Sequence, residues 1–209
     1  MKKIIYSILA ILIFCALSFG VFFISDHYAQ KWQSNKLFKA KLYDVNGKTW
    51  SIKSLKDKLG IIYFGYTFCP DACPTALNNL TIALEKIDSK KLQFEPIFIS
   101  VDPNRDKPAI IKDYLSSFDT IILGLTGSDR DLKSFTFNIG ATYSLSREDP
   151  EDENYLVNHT VGFFMINSKG ASLPIPYRNN PEDLARAIEK IRSIQISNRN
   201  LKKSRVFFK

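Results

Sequence analysis

The chain has 209 residues, 45% of them hydrophobic and 24% charged, with a formal net charge of +8. That length suits one globular domain of roughly 150 to 170 residues beside an N-terminal segment, and the composition excludes a low-complexity or disordered chain. The basic excess is no nucleic-acid signature. It gathers in residues 198–209 (Arg199, Lys202, Lys203, Arg205, Lys209) and at Lys31, Lys36, Lys39 and Lys41, with no recognition motif beside it. Such clusters suit solvent, an anionic lipid surface or an acidic partner.

In chain order, residues 4–25 come first: they carry no charge, with Lys2 and Lys3 before them and Asp26 after. A helix rising about 1.5 Å per residue would be about 33 Å long there, enough to cross a hydrocarbon core of about 30 Å. Phe22, Phe23 and Ile24 follow the weak cleavage candidate Ala16-Leu17-Ser18 and favour an uncleaved anchor over a signal peptide. Phe14 before Cys15 disfavours a lipoprotein site. Lys2 and Lys3 on the inner side place the rest of the chain outside. The expected organisation is therefore an anchor (1–25), a polar linker (26–36), a folded domain (37–197) and a basic tail (198–209).

Within the domain, residues 37–43 alternate weakly, Asn46-Gly47 predicts a type I′ hairpin turn, and residues 49–52 form the return strand. Residues 61–64 are a short apolar run, read as a buried strand that stops at Gly65. Beyond Pro74, the apolar positions Leu77, Leu80, Ile82, Leu84 and Ile87 predict a helix. The pattern then repeats: a buried strand over 94–101, a helix over 106–118 with Pro108 in its first turn, and a strand over 121–125. Ser128 caps a helix to about Asn138. A strand over 161–166, a turn at 167–170 and its mate over 171–175 precede a last helix, capped by Asn180 and running from Pro181 to about Ile194. Strands alternating with helices, closed by a hairpin and a helix, predict an α/β sandwich around a mixed sheet.

Three cysteines are present, and only Cys69 and Cys73 lie in the predicted domain. Two close cysteines make a redox or metal site rather than a disulfide scaffold. They sit between a strand and a helix start, where free N–H groups and the helix dipole stabilise thiolates. Positions i and i+4 share a helix face, so both sulfurs can address one point. Spacing alone leaves metal binding, redox exchange and a structural disulfide open. Of the two histidines, His27 lies in the linker, whereas His159 immediately precedes the apolar strand Val161-Gly162-Phe163-Phe164-Met165. In a thioredoxin-like topology that loop lies across from the helix carrying the cysteines. Thioredoxins place a cis-proline there, yet no proline stands between Pro150 and Pro174. An imidazole facing two thiolates makes a soft, low-coordinate site suited to copper; structural zinc usually takes a fourth protein ligand.

The segment Phe64-Gly65-Tyr66-Thr67-Phe68-Cys69-Pro70-Asp71-Ala72-Cys73-Pro74 resembles the copper-site motif of the Sco/SenC family of cytochrome c oxidase assembly proteins. Two further stretches are similar to that family's: residues 100–108 (Ser-Val-Asp-Pro-Asn-Arg-Asp-Lys-Pro) and Asn158-His159-Thr160. The resemblance implies a thioredoxin-like sandwich with an N-terminal β-hairpin extension, preceded by one transmembrane helix. It implies copper as the metal, with Cys69, Cys73 and His159 as ligands, and Cys69–Cys73 as any redox pair. The implied partners are the copper-bearing subunit of cytochrome c oxidase, a copper donor or thiol-reductant protein, and the membrane through the N-terminal helix. The implied location is an inner membrane, with the domain in the periplasm or, in a mitochondrion, the intermembrane space. The function expected is metallochaperone more than enzyme, delivering copper or maintaining thiols. A metal-free thiol-disulfide reductase is the alternative, and a peroxidase is disfavoured because no single cysteine is marked out. The family often has an acid where this chain has Asn158. Asp71 is expected to accept backbone N–H bonds at the helix start, to bias the thiols or to contact a partner, and Asp102 with Arg105 to form a structural ion pair.

Overall fold

The computed structural model describes residues 6, 13–22, 25, 39–87, 94–146 and 154–204. Residues 13–22 are helical, with Ile13, Phe14, Leu17, Phe19, Val21 and Phe22 exposed. Among the described residues, no helix is long and apolar enough to cross a membrane. The remainder of the expected anchor, the linker 26–36 with His27, and residues 205–209 of the tail lie outside the described residues.

The centre of the sheet follows from two strands that are mainly apolar where they are buried. β3 (Leu59–Gly65) is buried along its whole length, as a strand covered on both faces must be. It pairs in parallel with β4 (Phe94–Ser100), and β4 pairs in parallel with β5 (Leu123–Gly127). On its other side β3 meets β8 (Phe163–Asn167) antiparallel, and β8 meets β9 (Ser172–Ile175). The hairpin of β1 (Leu42–Asp44) and β2 (Thr49–Trp50) joins β5, giving one seven-stranded sheet in the order β2-β1-β5-β4-β3-β8-β9. The α/β sandwich around a mixed sheet predicted from the element pattern is observed, and its topology is the thioredoxin-like one that the resemblance implies.

Helices α1 (Ala72–Glu85), α2 (Pro108–Leu115), α3 (Asp129–Ile139) and α4 (Pro181–Ser204) cover the sheet. Gly124 of β5 faces Ile111 and Leu115 of α2, whereas Gly127, an odd step along the same strand, faces Leu132 of α3. The two helices therefore lie on opposite faces. α1 packs against α4. Alternation along β3 splits the aromatic core in the same way. Phe64 meets Phe135 and Phe164 with ring centroids 6.5 and 5.9 Å apart, while Tyr63 meets Phe163 at 5.1 Å on the other face. Tyr63's side is the one that carries the functional residues.

Four local readings change. The β1–β2 hairpin forms, but not through a type I′ turn, which needs positive φ at both central residues. Only Gly47 has it (φ 77°), and the Asp44 carboxylate accepts the Asn46 and Lys48 N–H groups to set a wider loop. The third parallel strand starts at Leu123, leaving Ile121 94% exposed in the preceding loop. α4 continues beyond Ile194 to Ser204, so much of the expected tail is helical. Finally, β6 (Tyr143–Ser146) and β7 (Leu156–His159) form a separate two-stranded ladder that the sequence reading missed, and His159 ends it.

Candidate metal centre

Where β3 ends, Gly65 hands its carbonyl to Val101 N–H (2.9 Å), and the chain turns back through Tyr66 to Cys69. α1 starts at Ala72, earlier than the apolar periodicity indicated, so Cys73 lies in its first turn and Cys69 just before it. The first-turn N–H groups have no partner within the helix. One of them, of Cys73, is directed at Cys69 Sγ, 3.4 Å away. Cys73 is buried, Cys69 is half-buried, and both thiols are free. Asp71 is the N-cap by position, yet its side chain accepts no backbone N–H; it takes the Thr75 hydroxyl at 3.2 Å instead. The expected capping role is therefore not observed.

His159 arrives from the other side. Its ladder partner is Tyr143, and Thr160 N–H closes on Thr142 O at 2.9 Å. The imidazole Nδ1 lies 3.1 Å from Thr160 O, and a carbonyl can only accept, so Nδ1 carries the proton. Nε2 is left with its lone pair, 3.6 Å from Cys73 Sγ. The rings of Tyr63 and Tyr66 stand nearly perpendicular to the imidazole at centroid distances of 5.9 and 6.1 Å and help to hold its orientation. The ligand atoms of Cys69, Cys73 and His159 all lie within 4.8 Å of one another. Metal bonds of about 2.3 Å to sulfur and about 2.0 Å to nitrogen, opened to a trigonal angle, place S and N about 3.7 Å apart. The observed spacing fits one ion held between them.

The electrostatics differ from the thiolate stabilisation expected at a helix start, because burial of Cys73 outweighs the helix terminus. Burial pushes the Cys73 thiol well above its ordinary range, and burial lowers His159 despite the opposing bond to Thr160. The pocket disfavours an uncompensated thiolate, so a bound soft cation would supply the missing charge. For His159 the depressed affinity means that the folded protein binds fewer protons than the unfolded chain. Stability is then complete above about pH 6.5, the unfolded histidine value, and declines as pH falls below it. In urea titrations of the reduced, metal-free protein, stability is expected to drop between pH 7.5 and 5.5, and His159→Gln is expected to flatten that slope.

The surroundings contain residues to which the sequence reading gave no part in the site. A Cβ added to Gly65 would lie 2.9 Å from Cys73 Sγ and 2.9 Å from Phe98 Cε2. Only glycine lets the sulfur pack onto the strand, so Gly65→Ala is expected to cost about 1–3 kcal/mol, read as a lowered denaturation midpoint. Tyr63 is buried beside Cys73 and His159, and burial raises its phenol. Asp106 is 1% exposed and accepts Thr67 N–H (2.9 Å), the Thr67 hydroxyl (2.6 Å) and the Ser100 hydroxyl (2.5 Å). The expected Asp102–Arg105 pair is present, with Arg105 Nε 2.6 Å from Asp102 Oδ2. Asn158 is exposed, one step along the strand from His159 and so facing away from the thiols. Cys15 is exposed in the helical residues 13–22 and is no member of the cluster.

The chain is similar to known proteins in sequence and fold. The SCO1/SenC family model matches residues 30–193. The chain is 39% identical over 152 residues to the mitochondrial protein SCO2 of Saccharomyces cerevisiae, a match covering 72% of this chain and 50% of the yeast protein. It thus spans only about half the length of that relative. A copper-bound structure of ScoI from Arabidopsis thaliana superposes with a TM-score of 0.65 at 31% identity, covering 73% of this chain and 96% of the other. A copper-bound structure of Bradyrhizobium japonicum ScoI gives 0.60 at 36% identity, covering 72% and 95%. With the family model matched over residues 30–193, the protein belongs to the SCO1/SenC family.

Proposed function

We propose that the protein binds one copper ion through Cys69, Cys73 and His159 and serves the assembly of cytochrome c oxidase. There it delivers copper to the oxidase copper subunit or maintains that subunit's thiols. The observation that carries the reading is the convergence of two thiols and one imidazole within 4.8 Å. Two sulfurs and one nitrogen form a soft, three-coordinate donor set that prefers copper. Among the described residues no fourth histidine, cysteine or carboxylate joins the cluster, as structural zinc would usually require. The copper carried by two similar structures supports the choice. Anaerobic titration of the reduced protein with Cu(I), followed by metal analysis, should give one copper per chain. Stoichiometric zinc, or no metal at all, would overturn the assignment.

A second reading has its own observation. Cys69 is half-buried ahead of the helix while Cys73 is buried in its first turn. That suits an attacking and a resolving thiol, as in a metal-free thiol-disulfide reductase with a reductant protein as partner.

We also infer that residues 1–25 anchor the protein in an inner membrane. Residues 26–36 would be the linker, 37–197 the working domain and 198–209 a basic tail. The domain would face the periplasm or, in a mitochondrion, the intermembrane space. The exposed apolar side chains of residues 13–22 support an anchor. Full-length protein is expected to stay in membranes through a carbonate wash, with the domain digested by protease added from outside. A mature protein beginning near Phe19 would sink the anchor.

A further inference from the structure

We infer that the loop from Ser100 to Asp106 is a clamp that positions both halves of the metal centre: Asp106 fixes the cysteine turn through Thr67, and Asp102 fixes the histidine strand through Tyr155. The inference rests on the copper reading above for what the clamp is for, but the clamp itself is visible in the bonding.

Cys73 is placed by the first turn of α1, but Cys69 precedes the helix and must be held by other means. Two residues before it, Thr67 gives its backbone N–H to Asp106 Oδ2 at 2.9 Å and its hydroxyl to Asp106 Oδ1 at 2.6 Å. His159 raises the same question on a larger scale. It ends a ladder separate from the main sheet, so its distance to the sulfurs depends on what ties that ladder down. Tyr155, next to the start of β7, gives its hydroxyl to Asp102 Oδ1 at 2.6 Å. Both acceptors belong to one short loop, which is itself closed by Asp106 N–H on Asp102 O (2.9 Å) and by the Ser100 hydroxyl on Asp106 Oδ2 (2.5 Å). Asp102 is 0% and Asp106 1% exposed, so neither bond is diluted by water. Arg105 joins the two sides across the top. Its guanidinium pairs with Asp102 and lies 3.6 Å from the Tyr155 ring centroid, 4.9 Å from Phe68 and 5.7 Å from Tyr66. Phe68 and Tyr66 belong to the cysteine turn and Tyr155 to the histidine strand. Asp102 and Asp106 are thus positioning residues that act through Thr67 and Tyr155.

Thr67→Val and Tyr155→Phe test this, because each removes one hydroxyl and keeps the side chain's bulk. Both are expected to weaken Cu(I) binding to the full-length, detergent-solubilised protein about tenfold or more, the range seen when outer partners of a metal ligand are removed. A metal-free readout separates the two arms. Thr67→Val alters the placement of Cys69 against Cys73 and is expected to shift their thiol–disulfide equilibrium about tenfold, or about 30 mV. Tyr155→Phe acts on the histidine arm, is expected to leave that potential at the wild-type value, and should instead weaken the nitrogen hyperfine signal of the Cu(II) form. General loosening of the fold would not divide the readouts in this way. Wild-type affinity for Cu(I) in both variants, or an unmoved potential in Thr67→Val, overturns the clamp. A wild-type protein that binds no copper overturns the copper reading instead, and the potential of Thr67→Val then decides the clamp alone.

Discussion

Replacing His159 by alanine is expected to weaken copper binding about a hundredfold or more while leaving Cys69 and Cys73 able to form and lose a disulfide. Removing an outer partner of a metal ligand already costs about 10–100-fold, and this change removes one of three donors. Thiolate attack on a disulfide needs no imidazole. Cys69→Ser and Cys73→Ser should also abolish tight copper binding, but they disable both candidate activities, so the histidine variant is the one that separates them. In cells, His159→Ala is expected to block assembly of active oxidase, and added copper should restore it only in part. Excess metal compensates for weak binding but not for lost docking geometry. Should His159→Ala cells assemble oxidase normally while either cysteine variant fails, the protein is a reductase. Copper titration of the purified variant, beside thiol counting after mild oxidation, makes the same distinction in vitro.

Asp102→Ala is expected to give the largest loss of stability. Asp102 is fully buried and Arg105 is 13% exposed, and their bond is 2.6 Å long. Deleting one partner of such a pair strands a buried charge, which costs about 3–5 kcal/mol. Against a total stability of about 5–15 kcal/mol, that is a substantial share, equivalent to a fall of about 10 °C or more in Tm for a domain of this size. The Tyr155 hydroxyl loses its acceptor in the same step. Exchanging both partners, Asp102→Leu with Arg105→Leu, should recover much of the loss because no charge is left stranded. Thermal denaturation followed by circular dichroism measures both. A loss under about 1 kcal/mol for Asp102→Ala would mean that water reaches the pair and screens it.

The sheet was legible because its central strands declare themselves. β3 is an apolar run that no amphipathic helix could carry, β4 has the apolar stretch Ile97-Phe98-Ile99, and the α1 to α4 segments show helical periodicity or caps at Ser128 and Asn180. The ligands were legible as residue types: two cysteines at a strand-to-helix junction and one histidine before a buried strand. Their placement in space needed the structure. β6 and β7 went unnoticed because four-residue strands draw their stability from each other. Their pairing joins Tyr143 to His159 across a long sequence separation. Asp106 read as an ordinary helix-start acid, and nothing local signals that Thr67 and Ser100 converge on it. Gly65 read as the end of a strand, since the sulfur that excludes a side chain there comes from the following helix.

The hairpin at one end of the sheet and the short strand at the other bear on self-association. An open row of unpaired N–H and C=O groups recruits further strands from other molecules. Here the row ends at β2, which is only two residues long, and at β9, whose Pro174 has no N–H to offer. Both margins are poor templates for strand addition. The seven-stranded sheet therefore offers other molecules little open backbone to pair with, and association along its margins must use side-chain surfaces rather than shared β-structure.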